Sequence, residues 1–232
     1  MNTVLELDQV SRSYGRGPDT VHALRDLDAR LSAGTLTAVV GPSGSGKSTF
    51  LQCAAGLDRP TSGTVRLAGH EISAMREREL TRLRRARIGF VFQSFNLLPA
   101  LTVQENVLLP LRLGGERRSS EITAQARRML ARVGLDGRSD ARPGELSGGQ
   151  QQRVAIARAL ITEPDVVFAD EPTGALDQET AAGVLGLLRE AVSTHGATVV
   201  VVTHDPTVAA QADRVLRLSQ GRLVQDDVAV RA

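Results

Sequence analysis

Tryptophan is absent from this 232-residue chain, tyrosine, cysteine and lysine occur once each, and aromatic residues make up only 3% of it. So few rings exclude the stacking platforms with which proteins bind single-stranded nucleic acid. A net charge of +2 excludes a strong electrostatic hold on a polyanion as well, so no nucleic-acid partner is expected. The lone Cys53 can form no internal disulfide, which suits a reducing compartment, and its place in an apolar stretch reads as a small buried thiol. No apolar run approaches the roughly 18 residues of a membrane span. Met1 to Asp8 also lacks the basic and apolar regions of a signal peptide. A membrane role is therefore expected to come through a partner. The length and the 41% hydrophobic content allow one large core, or one core with an inserted subdomain.

The single lysine lies in Gly41-Pro42-Ser43-Gly44-Ser45-Gly46-Lys47-Ser48-Thr49. The apolar run Leu36 to Val40 before it reads as a buried strand, and Phe50 to Ala55 after it reads as a helix closed by Gly56. Strand, glycine loop and helix in that order make a P-loop. Successive N–H groups at the helix start can hold a phosphate chain, and the glycines let the backbone approach it. Lys47 is expected to reach the β- and γ-phosphates of a nucleotide, and the Ser48 hydroxyl to ligate magnesium. Arginine serves as the cation everywhere else in the chain, but its broad fork does not replace a compact ammonium in a tight phosphate loop.

The segments before this loop read as short strands, at 4–10, 21–24 and 27–31, and suggest an antiparallel sheet beside a parallel core. Tyr14 falls in a polar loop between them and, by itself, reads as a surface tyrosine. Another strand is expected at 64–68. Residues 72–87 read as a helix carrying six arginines interleaved with Glu77 and Glu79, which reads as a solvated face. Ile88 to Phe92 reads as a strand that leaves the sheet at Gln93. From about 102 to 162 the pattern is almost wholly helical. A helix capped by Thr102 with Glu105 is expected to be ended by Pro110 and then Gly114-Gly115, and a second is expected to be capped by Ser119 or Ser120.

Leu146-Ser147-Gly148-Gly149-Gln150 then opens another helix, whose free N–H groups and outward hydroxyl form a second anion-binding geometry. Alone, Ser-Gly-Gly is more often a cap and a turn. The apolar strand Val166 to Ala169 ends in Asp170 and Glu171, a pair that needs a cation beside it. Magnesium on a nucleotide suits Asp170, and Glu171 is placed to orient or deprotonate water. Asp177 caps a helix from Gln178 to about Thr194. The strand 197–202 leads to His204, at the edge where open α/β sheets bind ligands. His22, His70 and His195 read as surface residues. A hairpin over 213–224 and a tail from Asp226 complete the chain.

These residues together resemble the ATP-binding subunits of ABC transporters over nearly the whole length: the loop 41–49, Gln93 in the Q-loop position, Leu146 to Gln150 as the signature, Asp170-Glu171, Leu176-Asp177 in the D-loop, and His204 in the switch position. The implied fold is α/β, a P-loop NTPase in one domain, 1–232. A RecA-like parallel-sheet core with an N-terminal antiparallel β subdomain would take 1–93 and 163–232, and an inserted α-helical subdomain about 94–162. The implied cofactors are ATP and Mg2+, with Ser48, Gln93 and Asp170 at the metal, Tyr14 on adenine, and Glu171, His204, Gln93 and Lys47 in catalysis. The implied partners are a second copy, which would clamp ATP with its Ser147, Gly148, Gly149 and Gln150 in a head-to-tail dimer, and an integral membrane permease. That implies a cytoplasmic subunit, peripheral on the inner face of the plasma membrane; the arginine bias is compatible with a GC-rich bacterial genome. The stretch 90–107 looks most like the branch of lipoprotein-release and macrolide-export ATPases, so an exporter or extruder is expected. The alternative is an ATPase that drives a non-transport signalling or cell-division complex. Ala175 departs from the asparagine common before Leu-Asp in that branch, at a loop that faces the dimer partner.

Overall fold

A computed structural model describes residues 2–115 and 120–228. Two sheets face each other across one helix. The first is antiparallel and contains β1 (Thr3–Tyr14), β2 (Val21–Ser32), β4 (Ser62–Leu67) and β5 (His70–Glu71), in the order β2-β1-β4-β5. The second contains β3 (Leu36–Val40), β6 (Ile88–Phe92), β7 (Val166–Asp170), β8 (Thr198–Val202), β9 (Arg214–Ser219) and β10 (Arg222–Val228), in the order β10-β9-β3-β8-β7-β6. All neighbours in it are parallel except the β9–β10 hairpin.

The central strands β3 and β8 are buried at every position, as their near-continuous apolar sequences require of a sheet covered on both faces. Alternation assigns their side chains. Val39, Phe168, Val200 and Val202 pack toward the antiparallel sheet with Phe50 and Leu51 of α1 (Lys47–Ala54). Ala38, Val167, Val199 and Val201 pack toward the helical side. There lie α3 (Val103–Leu113), α4 (Ser120–Arg132), α5 (Gly148–Leu160) and α6 (Gln178–His195). Two further helices, α2 (Glu77–Arg87) and the short α7 (Pro206–Ala210), complete the described fold. The α5 helix lies tightly on β6: a β-carbon on Gly89 would sit 2.4 Å from the Ala159 carbonyl oxygen. The same helix also packs on α3, so α5 touches both the parallel sheet and a neighbouring helix.

Several expectations are corrected. Tyr14 is in no loop; it is the last residue of β1, paired with Val21. The stretches at 21–24 and 27–31 are one strand, β2, because the four register shifts between β1 and β2 break the alternation without ending the pairing. Pro110 does not interrupt α3, which runs to Leu113 and is closed by Gly114 as expected. Proline removes one bond near the helix end, and the buried Leu111 holds the last turn against the core. The basic helix starts at Glu77 after a separate 3-10 turn at 72–74. The tail from Asp226 is strand as far as Val228, held by the Arg214–Asp226 ion pair at 2.6 Å. Ser120 is the first residue of α4, and Ser119 lies outside the described residues. Cys53 is buried as expected, and burial pushes its thiol up to about 12, so it is inert at neutral pH.

Candidate active site

The loop 41–49 leaves β3 at the carboxyl edge of the parallel sheet and turns into α1. Two of its glycines are demanded by space as well as backbone. A β-carbon on Gly41 (φ +156°) would meet the Leu218 carbonyl oxygen at 2.3 Å, and one on Gly46 (φ +102°) would meet that of Ala23 at 2.4 Å. Gly46 is also the residue from which α1 starts. The cleft above the loop holds about 680 Å3. Gly41, Pro42, Ser43, Gly44, Gly46, Lys47, Ser48 and Thr49 line it, facing Asp170, Glu171 and His204. Ser45 is buried beneath, with its hydroxyl unpaired among the described residues. Lys47 folds back over the loop, its Nζ donating to the carbonyl oxygens of Gly41 at 2.8 Å and Pro42 at 3.0 Å.

Asp170 ends β7 between Phe92 and Val202. Burial holds its carboxyl above the usual range, the neighbouring Glu171 pushes it further, and Lys47 opposes both. Such a carboxyl favours a cation beside it. Glu171 turns out of the strand with φ 45°, its N–H donating to the Val202 carbonyl at 2.9 Å. One of its oxygens lies 2.8 Å from His204 Nδ1. The bond to Glu171 is the largest cause that raises His204 above the usual imidazole range, although that ring is largely exposed. The acid and the histidine therefore meet across two strand ends, β7 and β8.

Other candidates lie outside the cleft. The Gln93 amide rests against the loop after Glu171, where a β-carbon on Gly174 would sit 2.9 Å from its Nε2. Tyr14 stands beside the cleft-lining Val21. Its hydroxyl donates to Asp58 at 2.7 Å, and the Arg12 guanidinium lies 4.4 Å from the ring centroid, covering one face. Ser147 is exposed at the start of α5, but its hydroxyl is not free. It accepts from the Gln150 N–H at 3.3 Å while the Gln150 side chain accepts from the Ser147 N–H at 3.0 Å, a closed capping box. Gly149 is set by packing: a β-carbon there would collide with Thr180 Cγ2 at 2.1 Å.

Two supporting residues went unread in the sequence. Asn106, fully buried in α3, donates to the Leu98, Leu101 and Thr102 carbonyls and accepts from the Leu98 N–H, so it shapes the loop after Gln93. Arg158 of α5 donates to the Asn96 carbonyl at 2.6 Å and the Phe95 carbonyl at 2.9 Å, and both acceptors belong to residues with positive φ. An arginine on an apolar helix face near the Q-loop position offered no signal beyond its type.

A family model described as ABC transporter matches residues 24–174. The chain belongs to the ABC transporter family. It is an ATP-binding, ATP-hydrolysing cassette of that family, with the P-loop NTPase fold. Among curated relatives, it is 48% identical to the "Lipoprotein-releasing system ATP-binding protein LolD" of Chromohalobacter salexigens, over 96% of this chain and 94% of that protein. It is 49% identical to the "Macrolide export ATP-binding/permease protein MacB" of Rhodopseudomonas palustris, over 97% of this chain but 34% of that protein. The cassette thus spans about a third of the macrolide-export relatives. Among solved structures it resembles the dimeric ATP-binding cassette MJ0796, bound to ADP and Pi in a post-hydrolysis state. The TM-score is 0.90 and the identity 40%, covering 98% of this chain and all of the other.

Proposed function

We propose that this cassette binds ATP with magnesium in the cleft over Lys47, hydrolyses it within a head-to-tail pair of copies, and powers a membrane permease of the lipoprotein-release or macrolide-export type. The observation that carries the reading is the convergence of the Lys47 loop, Asp170, Glu171 and His204 on one cleft. Its loop N–H groups suit the phosphates. Lys47, now spent on two carbonyls of its own loop, would exchange them for phosphate oxygens. Ser48 and Asp170 fit magnesium: a hydroxyl at a helix start faces a carboxylate that burial leaves short of a counter-charge, and Gln93 would be a third donor. Among the described residues no group of three or more His, Cys, Asp or Glu could hold a metal by itself, so the ion would be shared with the nucleotide. When bound, magnesium would offset charge on the phosphates.

Glu171 is the base in this reading. Its left-handed turn aims the carboxylate along the cleft, and His204 steadies it until the γ-phosphate draws the imidazole away. Tyr14 would offer its uncovered face to adenine. Ser147, Gly148, Gly149 and Gln150 would complete the site of the second copy. The exposed start of α5 favours this, as does the dimeric state of the MJ0796 cassette.

A partner surface adjoins the Gln93 loop. Phe90, Phe92, Leu109 and Leu113 floor a groove of about 390 Å3 rimmed by Arg85 and Arg158. Among the described residues no helix is long and apolar enough to cross a membrane, so the cassette would act at the inner face of the plasma membrane through the permease. Lys47→Ala tests the cleft: ATP affinity should fall at least about 100-fold, as expected when phosphate oxygens lose a charged donor. Unchanged affinity would refute the assignment.

A further inference from the structure

His22 is an imidazole that the phosphate chemistry above does not use, yet it lines the same cleft. It sits near the start of β2, opposite Ser13 of β1, and the Ser13 hydroxyl lies 2.8 Å from its Nδ1. That bond fixes the ring. Among the described residues it is the only hydrogen bond of the His22 side chain, and Nε2 has no partner among them.

The register gives the order of groups along this wall. Tyr14 pairs with Val21, Ser13 pairs with His22, and the next residue, Ala23, has its carbonyl against Gly46 of the phosphate loop. Along the backbone, His22 therefore lies between Val21, the partner of Tyr14, and Ala23, which meets the phosphate loop. What joins base to phosphate in a nucleotide is the sugar.

We infer that His22 is a nucleotide-selecting residue whose Nε2 hydrogen-bonds a ribose hydroxyl of ATP, with Ser13 orienting the ring. The inference rests on the proposed nucleotide cleft. A ribose hydroxyl both donates and accepts, so it can satisfy Nε2 in either neutral tautomer of the ring, whereas a phosphate oxygen can only accept. No proton transfer is required, and the catalytic carboxylate is untouched.

The test compares equilibrium binding of ATP, 2′-deoxy-ATP, 3′-deoxy-ATP and inorganic triphosphate to the whole chain, in the presence of magnesium. The parent protein should bind ATP about threefold to tenfold more tightly than at least one deoxy analogue, the worth of one hydrogen bond. His22→Ala should bring that ratio close to one without changing triphosphate affinity. His22→Gln, which keeps a polar side chain, should retain part of the preference, and Ser13→Ala should reduce it. A ratio that persists in His22→Ala overturns the inference. So does a His22→Ala loss equal for ATP and both deoxy analogues, which would place the contact on phosphate or base. Retention of all nucleotide binding in Lys47→Ala would instead overturn the cleft itself, so the two failures are distinct.

Discussion

At the scale of single residues, the cleft is a balance of charges at two strand ends. Asp170 is pushed toward protonation by burial and by Glu171, and Lys47 only partly offsets this. Glu171 and His204 form a pair at 2.8 Å. The Glu171 bond raises the folded-state pKa of His204, so its contribution to stability is present below the ordinary histidine pKa and is lost as pH rises through the raised value. NMR titration should find His204 above the ordinary imidazole range, and Glu171→Gln should return it toward that range. An unmoved His204 in the variant would mean that the contact is not made in solution. Glu171→Gln should also lower steady ATP turnover by at least about 100-fold with ATP binding kept, the share a general base commonly supplies. Turnover assays beside nucleotide titration check this. Lys47, Ser48, Asp170, Glu171 and His204 stand out in the sequence by chemical type at a fixed spacing, and the structure places all of them on one cleft. Tyr14 was misplaced because bulges in β1 hide its alternation.

At the scale of elements, α5 links the parts. Its first residues close a capping box, its Gln152 donates to the Pro172 carbonyl at 2.7 Å just after Glu171, and its Arg158 grips the loop after Gln93. Burial lowers the pKa of that arginine, and its partners are carbonyls rather than a carboxylate, so the grip is directional. The sequence signalled the helix and the Ser-Gly-Gly turn, but not that Gly149 is needed for contact with α6. That depends on where Thr180 falls, which no local pattern carries. Gly149→Ala should destabilise the fold by about 1–3 kcal/mol, although alanine is the better helix former, because its methyl group would overlap Thr180. Thr180→Ser removes the obstructing Cγ2 and should restore most of the loss. Thermal or urea unfolding of the single and double variants measures this, and Gly149→Ala as stable as the parent would contradict the packing.

At the scale of the whole molecule, the fold carries its nucleotide loop on one flank and its exposed Ser147 turn on another. The long apolar strands, the hairpin and the helical run were readable from period and length. The pairing of β1 with both β2 and β4 was not, since it joins segments far apart in sequence across register shifts. In the proposed dimer a single copy would present half a site at each place, and two copies related head to tail would complete both. The D-loop at Ala175 would lie at that junction, where a methyl group stands in place of an amide, so the two copies would be joined by one fewer polar contact. The most direct measurement is the solution mass of Glu171→Gln with and without ATP and magnesium, by gel filtration with light scattering. The account predicts twice the monomer mass with ATP, and return to the monomer when Ser147→Arg is added. A particle that stays monomeric at saturating ATP, or a dimer indifferent to residue 147, would contradict it.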